Sequence, residues 1–174
     1  MPSYLITGCS SGGKSTLLSA LDGLGYAAVP EPGRRILAEE REGDGQALPW
    51  VNPIAFARRA FAMAKDDLTH AKSHGGPVFF DRGLVDAAVA LDHLTDTPIE
   101  ASLGSQFPYD SPVFLAPPWP EIYQQDADRP HGFEAAKAEY HRIAHALDVL
   151  NVQTICLPRT SVAQRVKVVL SHLP

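Results

Sequence analysis

Two periodicities alternate along the chain. Apolar runs of about six residues, each closed by turn or cap residues, are separated by longer segments whose apolar residues recur at helical spacing. That is the pattern of a parallel sheet wrapped by helices. Five runs read as strands: SYLITG (3–8), YAAVPE (26–31), PVFFDR (77–82), SPVFLAPP (111–118) and NVQTICLP (151–158). Between them, 14–24 reads as a first helix ending at Gly25, and 34–41 as a shorter helix ahead of the polar loop EGDGQALP. A long helix over 53–73 is stopped by HGGP. Positions 136, 140, 143, 147 and 150 keep one face apolar or aromatic, so 133–150 is expected to pack against the sheet. SVAQ opens the last helix as a capping box, with Val162, Val166, Val169 and Leu173 on one stripe.

Composition narrows this picture. A length of 174 residues suits one domain spanning 1–174. No apolar run approaches the roughly 20 residues that cross a bilayer, and no charged leader precedes the first strand, so no membrane association and a cytoplasmic location are expected. The two cysteines, Cys9 in a glycine-rich loop and Cys156 in an expected buried strand, make neither a disulfide framework nor a metal site and read as free thiols. A formal charge of -5 argues against a nucleic-acid partner, because a phosphate-backbone surface needs dense Lys and Arg. The pairs Arg34 and Arg35, and Arg58 and Arg59, either line a cleft or decorate solvated helices.

The chemistry is most explicit in GCSSGGKS. Gly8, Cys9, Ser10, Ser11, Gly12, Gly13, Lys14 and Ser15 fit G-x-x-x-x-G-K-[ST], directly after a strand and opening a helix. Gly8, Gly12 and Gly13 let backbone N–H groups approach phosphate oxygens, with Ser10 and Ser11 in the same turn. Lys14 brings charge to the β and γ oxygens, Ser15 offers a hydroxyl to Mg²⁺, and the helix opening through Thr16 adds its positive end. The loop alone calls for a nucleotide with Mg²⁺ and does not choose between ATP and GTP, or between kinase and switch.

Two strand-end carboxylates follow. Asp81, closing PVFFDR, either holds the metal with Ser15 or caps the helix beginning at Gly83. Arg82 then points into the cleft, where it neutralises either a transferring phosphoryl group or a substrate phosphate. Glu31, ended as a strand by Pro32, either orients and deprotonates an acceptor hydroxyl or caps and pairs locally with Arg34 or Arg35. The Pro- and Asp-rich stretch after the fourth strand is a natural lid over about 117–135. Its Arg129 either closes on the phosphates or pairs with Asp126 or Asp128. Arg159, after the fifth strand, is placed to stack on the nucleotide base or to stand on the surface.

Other features read more plainly. His141 and His145 fall on a solvated helix face. Phe56, Ala60, Met63 and Ala64 read as core packing or as one wall of an acceptor pocket, and Trp50 and Trp119 as loop anchors.

Taken in order, the phosphate loop, VPEPGRR, FFDRGLVD, YDSPVFLAPP, DADRPHGFEAA and LPRTSVAQRV resemble the P-loop ATPase/kinase family that includes the ribosylnicotinamide kinase domain of the bacterial NAD regulator. The Glu-Pro and Asp-Arg motifs also look like those of deoxynucleoside kinases, with Gly83 where their motif carries Ser. The resemblance implies a three-layer α/β P-loop fold, a five-stranded parallel sheet of order 2-3-1-4-5, ATP with Mg²⁺, and an acceptor between Glu31 and the lid. The expected activity is transfer of phosphate to a hydroxyl or phosphate of a nucleoside, nucleotide or similar metabolite, by a monomer or homodimer. A nucleotide-binding regulatory ATPase or GTPase is the alternative.

Overall fold

All five apolar runs pair into one parallel sheet in the computed structural model, which describes residues 2–104, 106–124 and 132–174. The strands are β1 (Ser3–Gly8), β2 (Ala27–Val29), β3 (Val78–Asp81), β4 (Asp110–Ala116) and β5 (Thr154–Cys156), in the order β2-β3-β1-β4-β5. Register sets Leu5 beside Phe80 and Ile6 beside both Asp81 and Phe114, so the C-terminal ends of the three central strands open on one edge. The helices are α1 (Lys14–Asp22), α2 (Pro32–Glu42), α3 (Pro53–Ala71), α4 (Leu84–Thr95), α5 (Ile99–Leu103), α6 (Phe133–Val149) and α7 (Val162–Leu170), with a single 3-10 turn at Pro120–Ile122.

Strand alternation divides the core in two. Leu5, Val78, Phe80, Val113 and Leu115 pack with side chains of α3, α4 and α6 on one face. Tyr4, Ile6, Phe79, Phe114 and Ala116 pack with α1 and α7 on the other. The central strands are therefore apolar on both faces, which is why they read as continuous apolar runs. Each buried Phe or Leu contributes roughly 1.5–3 kcal/mol of transfer free energy. Among the described residues no helix is long and apolar enough to cross a membrane.

The edge strands differ from the expectation. β2 is cut to 27–29 and β5 to 154–156, since each has a ladder partner on one side only and prolines stand close by at 30, 32 and 158. Cys156, expected in a buried strand, is exposed on edge strand β5, while Cys9 is buried; both are free thiols. α2 starts at Pro32 rather than 34, because the proline's fixed φ suits the first helical position. α5 was not expected from the sequence.

Candidate active site

β1 ends in a loop that only its glycines allow. Gly8 has φ 115°, and a Cβ there would stand 2.3 Å from the Ala116 carbonyl oxygen of β4, so a side chain would push β1 and β4 apart. The loop then curls on itself: Cys9 N–H donates to Ala116 O at 2.9 Å and Gly12 N–H to Cys9 O at 3.1 Å. Lys14 Nζ donates to Cys9 O at 2.7 Å, which brings the buried ammonium into the curl. Burial lowers the Lys14 pKa, and Arg82 adds to the effect; the carboxylates of Asp81, Glu31 and Glu139 act against it. No side chain caps the first turn of α1, leaving its N–H groups directed at a cleft of about 490 Å³ lined by Ser11, Lys14, Ser15, Thr16, Trp119 and Thr160.

Across the strand ends, Ser15 Oγ donates to Asp81 Oδ2 at 2.7 Å. The other carboxylate oxygen, Oδ1, is buried and has no hydrogen-bond partner among the described residues. A hydroxyl and a carboxylate with an unused oxygen beside a phosphate loop are hard donors that fit a Mg²⁺ ion, which takes few protein ligands and completes its shell with phosphates and water. Asp81 does not cap α4. Gly83 holds that position, and its N–H donates to Asp86 Oδ2 at 3.0 Å.

A second cleft of about 410 Å³ lies beside the first, walled by α2, α3, α4 and α6. Phe56, Ala57 and Ala60 of α3 line it while Ala64 lies in the core, so the apolar stripe serves both purposes. Glu31, Asp86 and Glu139 line it as well, gathered around Arg82. Arg82 donates to Glu139 Oε1 and Oε2 at 2.9 and 3.1 Å, to Asp86 Oδ1 at 3.2 Å and to Ser10 Oγ at 3.1 Å, and its Nε lies 3.4 Å from Glu31 Oε1. Burial works against the Arg82 charge, but Glu139, Glu31 and Asp86 together hold its pKa well above the ordinary value. Arg82 thus lines this cleft with its guanidinium held in a carboxylate cage. Its backbone is left-handed at φ 57°, a conformation costing roughly 1–2 kcal/mol in a non-glycine residue, and the bond from Arg82 N–H to Ile6 O at 2.9 Å helps hold it.

Glu31 occupies the N-cap position of α2 but makes no capping bond; its carboxylate pairs with Arg82 and with Arg34, whose Nε is 3.6 Å from Oε2. Arg35 turns away to Asp67 and Arg59 to Glu39 and Glu40. The loop serines point differently from one another: Ser10 faces the second cleft through Arg82, and Ser11 Oγ donates to Gln124 O at 3.0 Å, within the 117–135 stretch expected to form a lid. Arg129, Asp126 and Asp128 lie outside the described residues. Arg159 is exposed and lines neither cleft, whereas its neighbours Thr160, Ser161 and Val162 line the phosphate-loop cleft. His141 and His145 are exposed, and among the described residues no group of three His, Cys, Asp or Glu is arranged for a metal.

Sequence reading missed three supports. Arg165 is buried in α7 and donates to Gly12 O at 3.0 Å and Gly13 O at 3.1 Å, tying the loop to α7; its signal is a charge among the apolar positions Val162, Val166 and Val169. Asp86 stands four residues after Arg82, the spacing of a helical ion pair. Glu139, 57 residues from Arg82, leaves no local signal.

A model of the AAA domain family matches residues 3–165. Among solved structures, the deoxyadenosine kinase from M. mycoides with bound dATP is similar to this chain with a TM-score of 0.72 at 13% identity, covering 98% of each chain. The same enzyme with its products dCMP and a flexible dCDP gives 0.69 at 13% identity, over 98% of this chain and 97% of that one. Shikimate kinase from Acinetobacter baumannii in complex with shikimate gives 0.55 at 16% identity, over 98% and 92%. At these identities the likeness establishes a P-loop kinase-like fold. No curated protein sequence matches the chain.

Proposed function

This chain belongs to the AAA domain family, and from that premise we propose that it is a small-molecule kinase, moving the γ-phosphoryl group of ATP to a nucleoside, nucleotide or similarly sized metabolite. The observation that carries the reading is the second cleft. A nucleotide hydrolase needs room only for water, whereas this chain places about 410 Å³ beside its phosphate loop, with the Glu31 carboxylate in the wall. Phe56, Ala57 and Ala60 supply an apolar side suited to a ring, and the carboxylates supply acceptors for hydroxyl groups.

Lys14 and the first turn of α1 hold the nucleotide phosphates. Ser15 and Asp81 are the residues that would hold Mg²⁺, which neutralises charge on the β and γ oxygens. Glu31 takes the proton of the acceptor hydroxyl. Arg82 acts as a positioning residue, fixing the Glu31 and Glu139 carboxylates through its fork of donors. A ribosylnicotinamide-like nucleoside and the deoxynucleosides are the first acceptors to try, given the resemblance and the fold.

The test is ADP release measured across a panel of nucleosides and nucleotides for wild type and Glu31→Gln. At least one acceptor is expected to raise release above basal hydrolysis, and Glu31→Gln is expected to lower that increment by roughly 10²- to 10⁴-fold. A panel that leaves release at the basal rate contradicts the kinase reading.

A further inference from the structure

We propose that Arg34 is a catalytic residue that carries charge on the phosphoryl group as it crosses from nucleotide to acceptor, an inference that rests on the kinase reading. Arg34 is the one side chain, among the described residues, that lines both the phosphate-loop cleft and the acceptor cleft. It sits in the first turn of α2, where a cation opposes the positive end of the helix dipole and is offset by the N-cap Glu31. Its Nε stands 3.6 Å from Glu31 Oε2, so the base and this cation share the wall between the two clefts. Its side chain is 40% exposed.

Among the described residues, each of the other cations near the loop lines one cleft at most. Arg82 has its fork filled by Glu139, Asp86 and Ser10, is 8% exposed, and lines only the acceptor cleft. Lys14 lines only the phosphate-loop cleft. Arg165 spends its donors on the carbonyls of Gly12 and Gly13. Arg34 can touch both substrates at once.

The step balances without further reactants. The acceptor O–H gives its proton to the Glu31 carboxylate, and the acceptor oxygen forms a bond to the γ-phosphorus. The bond between that phosphorus and the β–γ bridging oxygen breaks, its electron pair leaving on ADP. Arg34 makes and breaks no covalent bond; its N–H groups donate to the equatorial oxygens, where charge is spread in the transition state.

The experiment compares wild type, Arg34→Ala and Arg34→Lys in two arms. One arm measures affinity for Mg²⁺ with a non-hydrolysable ATP analogue, then for Mg²⁺, ADP and aluminium fluoride, which mimics the phosphoryl group in flight. Arg34→Ala is expected to bind the analogue within about threefold of wild type and to lose on the order of 10²-fold in the aluminium fluoride complex. Arg34→Lys keeps charge without the planar fork and is expected to fall between the two. The other arm measures transfer to the acceptor found in the panel, where Arg34→Ala is expected to lower kcat on the order of 10²- to 10³-fold with the KM for ATP little changed. An arginine that only orients Glu31 would leave aluminium fluoride binding at the wild-type level; that result, or a wild-type transfer rate in Arg34→Ala, overturns the proposal. Failure of the kinase reading shows separately, as a wild-type enzyme that no acceptor stimulates, and the aluminium fluoride arm then decides the role of Arg34 alone.

Discussion

Lys14, proposed to bind phosphate, is held against folding stability. Its ammonium is 3% exposed, its visible partner is a backbone carbonyl, and burial has pushed its pKa down. A base with a depressed folded-state pKa destabilises the folded form increasingly as pH falls below its unfolded value, so the penalty is present at neutral pH, below the ordinary 10.5. Replacing Lys14 with Met is therefore expected to raise the melting temperature of the nucleotide-free protein by roughly 2–4 °C while removing the further rise that ATP gives the wild type. Thermal melts with and without Mg²⁺ and ATP check both halves; retained ATP stabilisation would remove Lys14 from phosphate binding.

The carboxylates around Arg82 make a second residue-scale prediction, with opposed signs. Burial pushes Glu139 up, but Arg82, hydrogen-bonded to both of its oxygens, together with Lys14 and Arg142, holds its pKa below the ordinary 4.5. Its contribution is present above that value and is lost as pH falls through the folded-state pKa. Asp86 runs the other way: burial raises its pKa above 3.8 despite Arg82 and Thr7, so protonation in acid favours the folded chain. Glu139→Gln removes the acid-labile contribution and is expected to flatten the loss of stability on going from neutral pH to below 4.5. Urea midpoints for the two proteins across that range give the comparison; parallel curves would mean that the pair does not govern the acid slope.

At the scale of elements, the start of α4 explains a residue that sequence comparison alone left bare. Gly83, where the deoxynucleoside kinase motif carries Ser, has Tyr109 Oη against it: a Cβ would stand 2.0 Å from that oxygen. The same hydroxyl accepts from Leu84 N–H at 2.9 Å, so Tyr109 performs part of the capping of α4 from a distance. Gly83→Ala is expected to destabilise by roughly 1–3 kcal/mol through the displaced ring and the unmade bond. Combined with Tyr109→Phe, the two losses should add to less than their sum, because Phe leaves the alanine methyl its room. Strict additivity in urea unfolding would separate the two residues.

The elements also show what was legible beforehand. The phosphate loop was readable because its requirements are local: a strand, glycines, a lysine and a helix start lie within a few residues. Strand positions and the ends of α1, α3, α6 and α7 followed from periodicity to within a few residues. The helix after Gly83 was recognised by its start alone, since α4 buries Leu84, Val85, Ala87, Ala88 and Val89 almost without interruption and shows no polar face to mark its period. α5 has only five residues, too few for a period. Arg165 and Glu139 were not singled out, because the fold carries each to a partner more than 50 residues away. Arg159 lines neither cleft, and the residues beside it, Thr160, Ser161 and Val162, line the phosphate-loop cleft.

At the scale of the molecule, the order β2-β3-β1-β4-β5 puts the phosphate loop at the end of the central strand, Asp81 and Arg82 at the end of its neighbour, and Glu31 just beyond the edge strand. The two clefts meet at Arg34 because α2 leaves β2 across that same edge. This arrangement predicts transfer between two bound molecules rather than release of phosphate to water. The most direct measurement follows the label of γ-³²P-ATP through one reaction containing the acceptor panel, separating labelled organic product from inorganic phosphate. The account predicts that label appears on an organic acceptor in the wild-type reaction, with that product lost in Glu31→Gln; label recovered solely as inorganic phosphate, at the same rate with and without acceptors, would contradict it.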